Sequence, residues 1–88
     1  MDTQLGVFTS DQVLRLTGVT KRRLDYWIQR GLVVPEISRA RGRGSVRLFS
    51  FENLLEVKVA VWLRSKDVSL QLIRKIVGKL KKRGLSHP

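Results

Sequence analysis

Three consecutive cations, Lys21-Arg22-Arg23, and four arginines strung through SRARGRGSVRLF (Arg39, Arg41, Arg43 and Arg47) are the side chains best equipped for binding chemistry in this chain. A guanidinium presents a planar fork of donors that matches phosphate oxygens, and an ammonium supplies a compact point charge. No acid lies between Ser38 and Phe49. Arginines so crowded repel one another unless an anionic partner neutralises them. The chemistry indicated is therefore recognition of a polyanion.

The placement of charge supports this. The net charge of +11 divides into −1 over residues 1–20, +6 over 21–50, zero over 51–68 and +6 over 69–88. The last block carries Arg74, Lys75, Lys79, Lys81, Lys82 and Arg83 with no acid. Two basic blocks thus flank a neutral middle. Catalysis finds little material. The single histidine, His87, is the penultimate residue, and the absence of cysteine removes thiolate nucleophiles, disulfides and thiolate zinc sites. Glu52 and Glu56 read as early-helix charges rather than a paired acid and base. Gly42-Arg43-Gly44 reads as a turn, since no strand leads into a phosphate loop. No enzyme, no metal and no cofactor are expected.

The elements that must position these cations can be read from a repeated device. An apolar residue precedes a hydroxyl residue, and a second apolar residue follows five positions after the first, at Phe8-Thr9…Val13, Val19-Thr20…Leu24, Phe49-Ser50…Leu54 and Val68-Ser69…Ile73. Each is an N-cap with a hydrophobic staple. Gln12, three residues after Thr9, completes a capping box. Gly18 and Gly31 stand where left-handed helix ends belong. Helices are therefore predicted at about 10–17, 21–30, 51–65 and 70–83. The first two are joined by a turn of helix-turn-helix length. Pro35 holds Val34 extended, so Val33–Ile37 and Val46–Phe49 are expected to pair around the arginine-glycine tip as a wing over about 33–49. Helix three, with Leu54, Leu55, Val57, Val59, Ala60, Val61, Trp62 and Leu63, is expected at the buried centre. Helix four places Ile73, Ile76, Val77 and Leu80 on one face with lysines opposite. The fold expected is mainly α, a winged helix-turn-helix followed by a second helical pair.

These 88 residues suffice for a single domain, 1–88, with 84–88 as a flexible tail. MDTQLGVFTSD has no basic stretch leading into an apolar run, and no segment reaches the roughly 18 uninterrupted apolar residues of a membrane span. A cytoplasmic, soluble protein is expected.

The order Phe8-Thr9…Val13, Leu16-Thr17-Gly18-Val19-Thr20, Leu24-Asp25-Tyr26-Trp27, Arg30-Gly31-Leu32-Val33, Arg47-Leu48-Phe49-Ser50, Val68-Ser69-Leu70…Ile73-Arg74 resembles the N-terminal DNA-binding domain of the MerR family of transcriptional regulators. The resemblance covers roughly residues 7–80. It implies a winged helix-turn-helix that binds double-stranded DNA as a homodimer. Members continue into a dimerising helix and an effector-sensing domain. This chain stops at Gly84-Leu85-Ser86-His87-Pro88, from which a weak monomer that pairs on DNA is expected.

Helix two is then the recognition helix, its N-terminal end toward the major groove. Lys21, Arg22 and Arg23 occupy the first turn, where the helix dipole disfavours cations, and this conflict with stability marks a functional site. Arg22 and Arg23 suit guanine edges or adjacent phosphates, and Lys21 suits phosphate. Thr20 caps the helix and can also meet a phosphate. The resemblance implies a backbone contact for Tyr26 and a phosphate contact for Arg47. Arg39, Arg41 and Arg43 would follow the flanking backbone or enter a minor groove. Trp27 reads as core. Asp25 departs from the arginine often found there in the family; it either selects a cytosine amino group or orients a neighbouring arginine, and the second is favoured. Other readings are an RNA-binding or DNA-architectural module of similar fold, and a basic helix four docking on an acidic partner or a membrane. The absence of an aromatic at the wing tip speaks against single-strand stacking.

Overall fold

The computed structural model describes residues 6–37 and 47–82. The wing tip with Arg39, Arg41 and Arg43, and the tail at 84–88, lie outside the described residues. The element order is β1 (Phe8–Thr9), α1 (Ser10–Thr17), α2 (Lys21–Gln29), β2 (Leu48–Phe49), α3 (Phe51–Ser65) and α4 (Leu70–Lys82).

Each helix begins one residue after its hydroxyl residue, and each hydroxyl accepts an early helical N–H. Thr9 accepts from Gln12, Thr20 from Arg23, Ser50 from Asn53 and Ser69 from Leu72, at 3.0–3.2 Å. Gln12 closes the first capping box by accepting from the Thr9 backbone at 2.9 Å. Asn53 closes a second box on Ser50. At the other end of α2, Gly31 takes φ +80°. Its N–H donates to the Ile28 carbonyl and that of Leu32 donates to the Trp27 carbonyl, a Schellman closure. α3 ends the same way, with Asp67 at φ +63° in the left-handed position. The helix thus stops at Ser65, where the sequence placed its end.

Most of the expected hairpin, at 38–46, lies outside the described residues, within which the two-stranded sheet is formed by β1 and β2. β2 pairs antiparallel with β1, with Phe8 opposite Phe49 and Thr9 opposite Leu48. Among the described residues, the segment expected to be its partner, Val33–Ile37, gives β2 one backbone bond, from the Ile37 N–H to the Leu48 carbonyl at 3.1 Å. A side chain of α3 also braces this stretch. Asn53 accepts from the Glu36 N–H at 2.9 Å and donates to the Val34 carbonyl at 3.0 Å. With these backbone groups satisfied from α3, residues 34–36 have no need of a strand partner.

The core gathers Val13 from α1, Val19 from the turn, Leu24 and Trp27 from α2, Leu32 and Val33 after it, Phe49 from β2, Val57 and Ala60 from α3, and Ile73 and Val77 from α4. Trp27 is buried in it, as its reading as core required. α3 packs against both α1 and α4. Its buried face is more polar than expected. Asn53 and Glu56 are fully buried beside Val57 and Ala60, whereas Trp62 is 58% exposed. Glu56 is therefore not a surface charge of the early helix. Its Oε1 accepts from Asn53 at 3.2 Å. Its Oε2 has no hydrogen-bond partner among the described residues, and the Lys81 ammonium stands 3.9 Å away. Burial pushes the Glu56 carboxyl above the ordinary range, opposed by the Asn53 hydrogen bond and by Lys81.

Candidate nucleic-acid interface

The first turn of α2 is built from KRR behind a threonine cap. Thr20 spends its hydroxyl oxygen on the Arg23 N–H, which fixes the helix start. Lys21, Arg22 and Arg23 are all exposed there, with no acid in the first turn. α1 carries Asp11 and α3 carries Glu52 in the first turn, as the dipole favours, and α4 has no acid there. The reversal at α2 leaves backbone N–H groups and three cations facing solvent together. Such a surface attracts anions from several directions at once.

Asp25, one turn on, ties this cluster to the return strand. Its Oδ2 meets the Lys21 ammonium at 3.0 Å, and its Oδ1 accepts from the Arg47 guanidinium at 2.8 Å. The hydrogen bonds from Arg47 and then Lys21 hold the carboxyl below its ordinary range, with burial working weakly against them. The carboxylate orients an arginine, the favoured reading of its role. Arg47, 22 residues away in sequence, thereby joins the cations of α2.

Tyr26 is 46% exposed, and the Arg30 guanidinium carbon lies 5.8 Å from its ring centroid. Its neighbour Trp27 turns inward. Arg22, Arg23 and Tyr26 line an open cleft of about 580 Å³ together with Thr20, Trp27, Leu70 and Arg64. Arg64 comes from the last turn of α3 and donates to the Val68 carbonyl at 2.9 Å. Sequence reasoning passed over it. As one cation among balanced charges in 51–68 it carried no local signal, and only the packing of α3 and α4 behind α2 brings it to the cleft. On the far side of α2, Arg74 donates to the Arg30 carbonyl, so one arginine of the second basic block caps the helix end.

The structure thus brings together Thr20, Lys21, Arg22, Arg23, Tyr26 and Arg47. Among the described residues there is no group of three or more His, Cys, Asp or Glu suited to a metal ion, and no helix long and apolar enough to cross a membrane.

The chain is 44% identical, over 94 aligned positions, to an uncharacterized HTH-type transcriptional regulator of Mycobacterium bovis and to counterparts in two strains of Mycobacterium tuberculosis. The aligned region takes in 93% of this chain and 42% of each relative, so the chain spans well under half the length of these regulators. Residues 8–80, from β1 into the last turn of α4, match the family described as MerR HTH family regulatory protein, and the chain belongs to that family.

Proposed function

We propose that this chain binds double-stranded DNA with sequence preference, as the DNA-reading domain of a transcriptional regulator. α2 enters the major groove by its N-terminal turn, where Arg22 and Arg23 reach guanine edges or the phosphates beside them. Lys21 serves phosphate. The Thr20 end of the helix and the Tyr26 hydroxyl meet the backbone. Arg47 anchors the base of the wing, and Arg39, Arg41 and Arg43 extend the contact along the flanking backbone or into a minor groove. Two copies on paired half-sites would give the homodimeric arrangement of the family.

The observation that carries this reading is the exposed Lys21-Arg22-Arg23 turn, set against the helix dipole and joined by Arg47. A helix start selected for stability alone would hold Asp or Glu there. The description of the mycobacterial relatives as transcriptional regulators supports the same conclusion.

Selection from a pool of random duplexes, followed by fluorescence anisotropy on the enriched sequence, tests it. Arg22→Ala or Arg23→Ala should cost about 1–3 kcal/mol and relax preference at one or two base pairs. Enrichment of no sequence by the wild-type chain, or tighter binding to single-stranded RNA than to any duplex, would refute the proposal.

A further inference from the structure

We infer that Asp25 acts as a positioning residue for sequence discrimination, holding Lys21 and Arg47 on one carboxylate and thereby lowering their contribution to indiscriminate phosphate binding. The inference rests on the DNA-binding reading above and deepens it.

Asp25 is the one acid in α2. Each of its oxygens takes a different cation, Arg47 at 2.8 Å and Lys21 at 3.0 Å. One of these partners lies a turn earlier on the same helix, and the other precedes β2 on the return strand. Surface ion pairs of this kind add little to stability. The Asp25 carboxyl is 39% exposed and the side chains of Lys21 and Arg47 are 77% and 45% exposed, so the arrangement is not one that the core demands.

Its consequences for DNA are larger. The group of Lys21, Asp25 and Arg47 carries a net charge of +1 where the two cations alone would carry +2. Affinity for DNA of any sequence rises with each phosphate neutralised, and the dependence on salt steepens with it. Asp25 therefore works against that part of binding. It does so without touching Arg22 and Arg23, the side chains placed to read base edges. The ammonium retains two further donors and the guanidinium four, so both cations can still meet DNA, now from a fixed direction. Arg47 in particular is tethered to the helix whose depth in the groove it must match. A weaker general attraction combined with better-aligned contacts raises the ratio of specific to non-specific affinity.

The test compares wild type with Asp25→Asn, which keeps the size of the side chain and removes its charge. Affinity is measured at two salt concentrations on the duplex enriched by the wild type and on a random-sequence duplex. For Asp25→Asn, the random duplex should bind several-fold tighter with a salt slope steeper by about one unit, while the enriched duplex gains less. The specificity ratio then falls several-fold, and Asp25→Glu, which retains the carboxylate, should recover part of it. An unchanged or increased ratio for Asp25→Asn would overturn the inference. NMR relaxation of the Arg47 side-chain Nε–Hε in the DNA-free protein reads the tether separately. Ordering in the wild type that is lost in Asp25→Asn supports it, and equal mobility in both sinks it. A wild-type chain that selects no duplex would defeat the DNA reading itself, and the Arg47 measurement would still decide the tether.

Discussion

Replacing Glu56 by glutamine isolates the free-energy cost of a charge buried in α3. The carboxyl is fully buried, its Oε2 lacks a hydrogen-bond partner among the described residues, and the ammonium of Lys81 is 3.9 Å away. Asn53 donates to Oε1, while Glu36 and Glu52 add weak repulsion. Because burial raises its folded-state pKa above the unfolded value, the folded state binds the extra proton. Stability from this group is complete below the unfolded pKa and is lost as pH rises through the folded pKa. A glutamine is nearly isosteric with the protonated acid and cannot ionise. The two proteins should therefore be almost equally stable near pH ~4 and diverge toward pH ~8. Leaving a buried acceptor unpaired costs about 1–3 kcal/mol, and charge raises that figure. Attraction to the partly exposed Lys81 returns at most about 1 kcal/mol. The glutamine variant should thus be more stable at the alkaline end by about 1–2 kcal/mol, or roughly 5–15 °C in Tm for a domain of this size. Thermal melts followed by circular dichroism across the pH series measure it. The oppositely shifted Asp25 is present in both proteins and cancels in the difference. Parallel pH profiles for the two proteins would refute the argument, as would a variant less stable than wild type at high pH.

Two further substitutions probe the framework. Asp67→Gly should stabilise the domain by about 1 kcal/mol, because a non-glycine residue in the left-handed region costs about 1–2 kcal/mol and glycine gives back part in chain entropy; a denaturant midpoint that falls would contradict the strain assigned at φ +63°. Asn53→Ala removes the acceptor for the Glu36 and Ser50 N–H groups and the donor to Val34 and Glu56, so a loss of about 3 kcal/mol is expected in urea melts, and a loss below about 1 kcal/mol would mean that water replaces these bonds at little cost.

The helix starts were legible because a cap is a local contract. Thr9, Thr20, Ser50 and Ser69 bond to N–H groups two or three residues on, so spacing alone determines the geometry. Gly18 and Gly31 marked the stops of α1 and α2 for the same reason, and the end of α3, expected near 65, falls at Ser65 with Asp67 in the left-handed position beyond it. The buried polar face of α3 was illegible on different grounds. Asn53 and Glu56 stand three apart, the spacing of any solvated pair; Asn53 is held by partners 17 and 19 residues away on the stretch before the wing, and Glu56 by Asn53 and by Lys81 of α4. At the candidate site, Lys21, Arg22 and Arg23 announced themselves by opposing the helix dipole. Arg64 broke no local rule and was found only through packing.

The base of the wing is where stability and recognition meet. On one side Asn53, rooted in α3, fixes the backbone at Val34 and Glu36, and Glu36 in turn accepts the Ser50 hydroxyl at 2.7 Å. On the other, Asp25 of α2 holds Arg47 just before β2. One attachment is buried and neutral at Asn53, and its strength is largely indifferent to salt. The other is exposed and ionic, and salt or a phosphate can exchange with it. A wing anchored by two exposed ion pairs would shift whenever it met DNA, and one anchored by two buried networks would carry its arginines in a single fixed pose. The stretch at 34–36 is thus held by buried hydrogen bonds and Arg47 by an exposed ion pair. On the DNA-binding reading proposed above, the Asp25 tether directs Arg47 toward the phosphate that competes for it, while α2 keeps the register set by the core around Trp27.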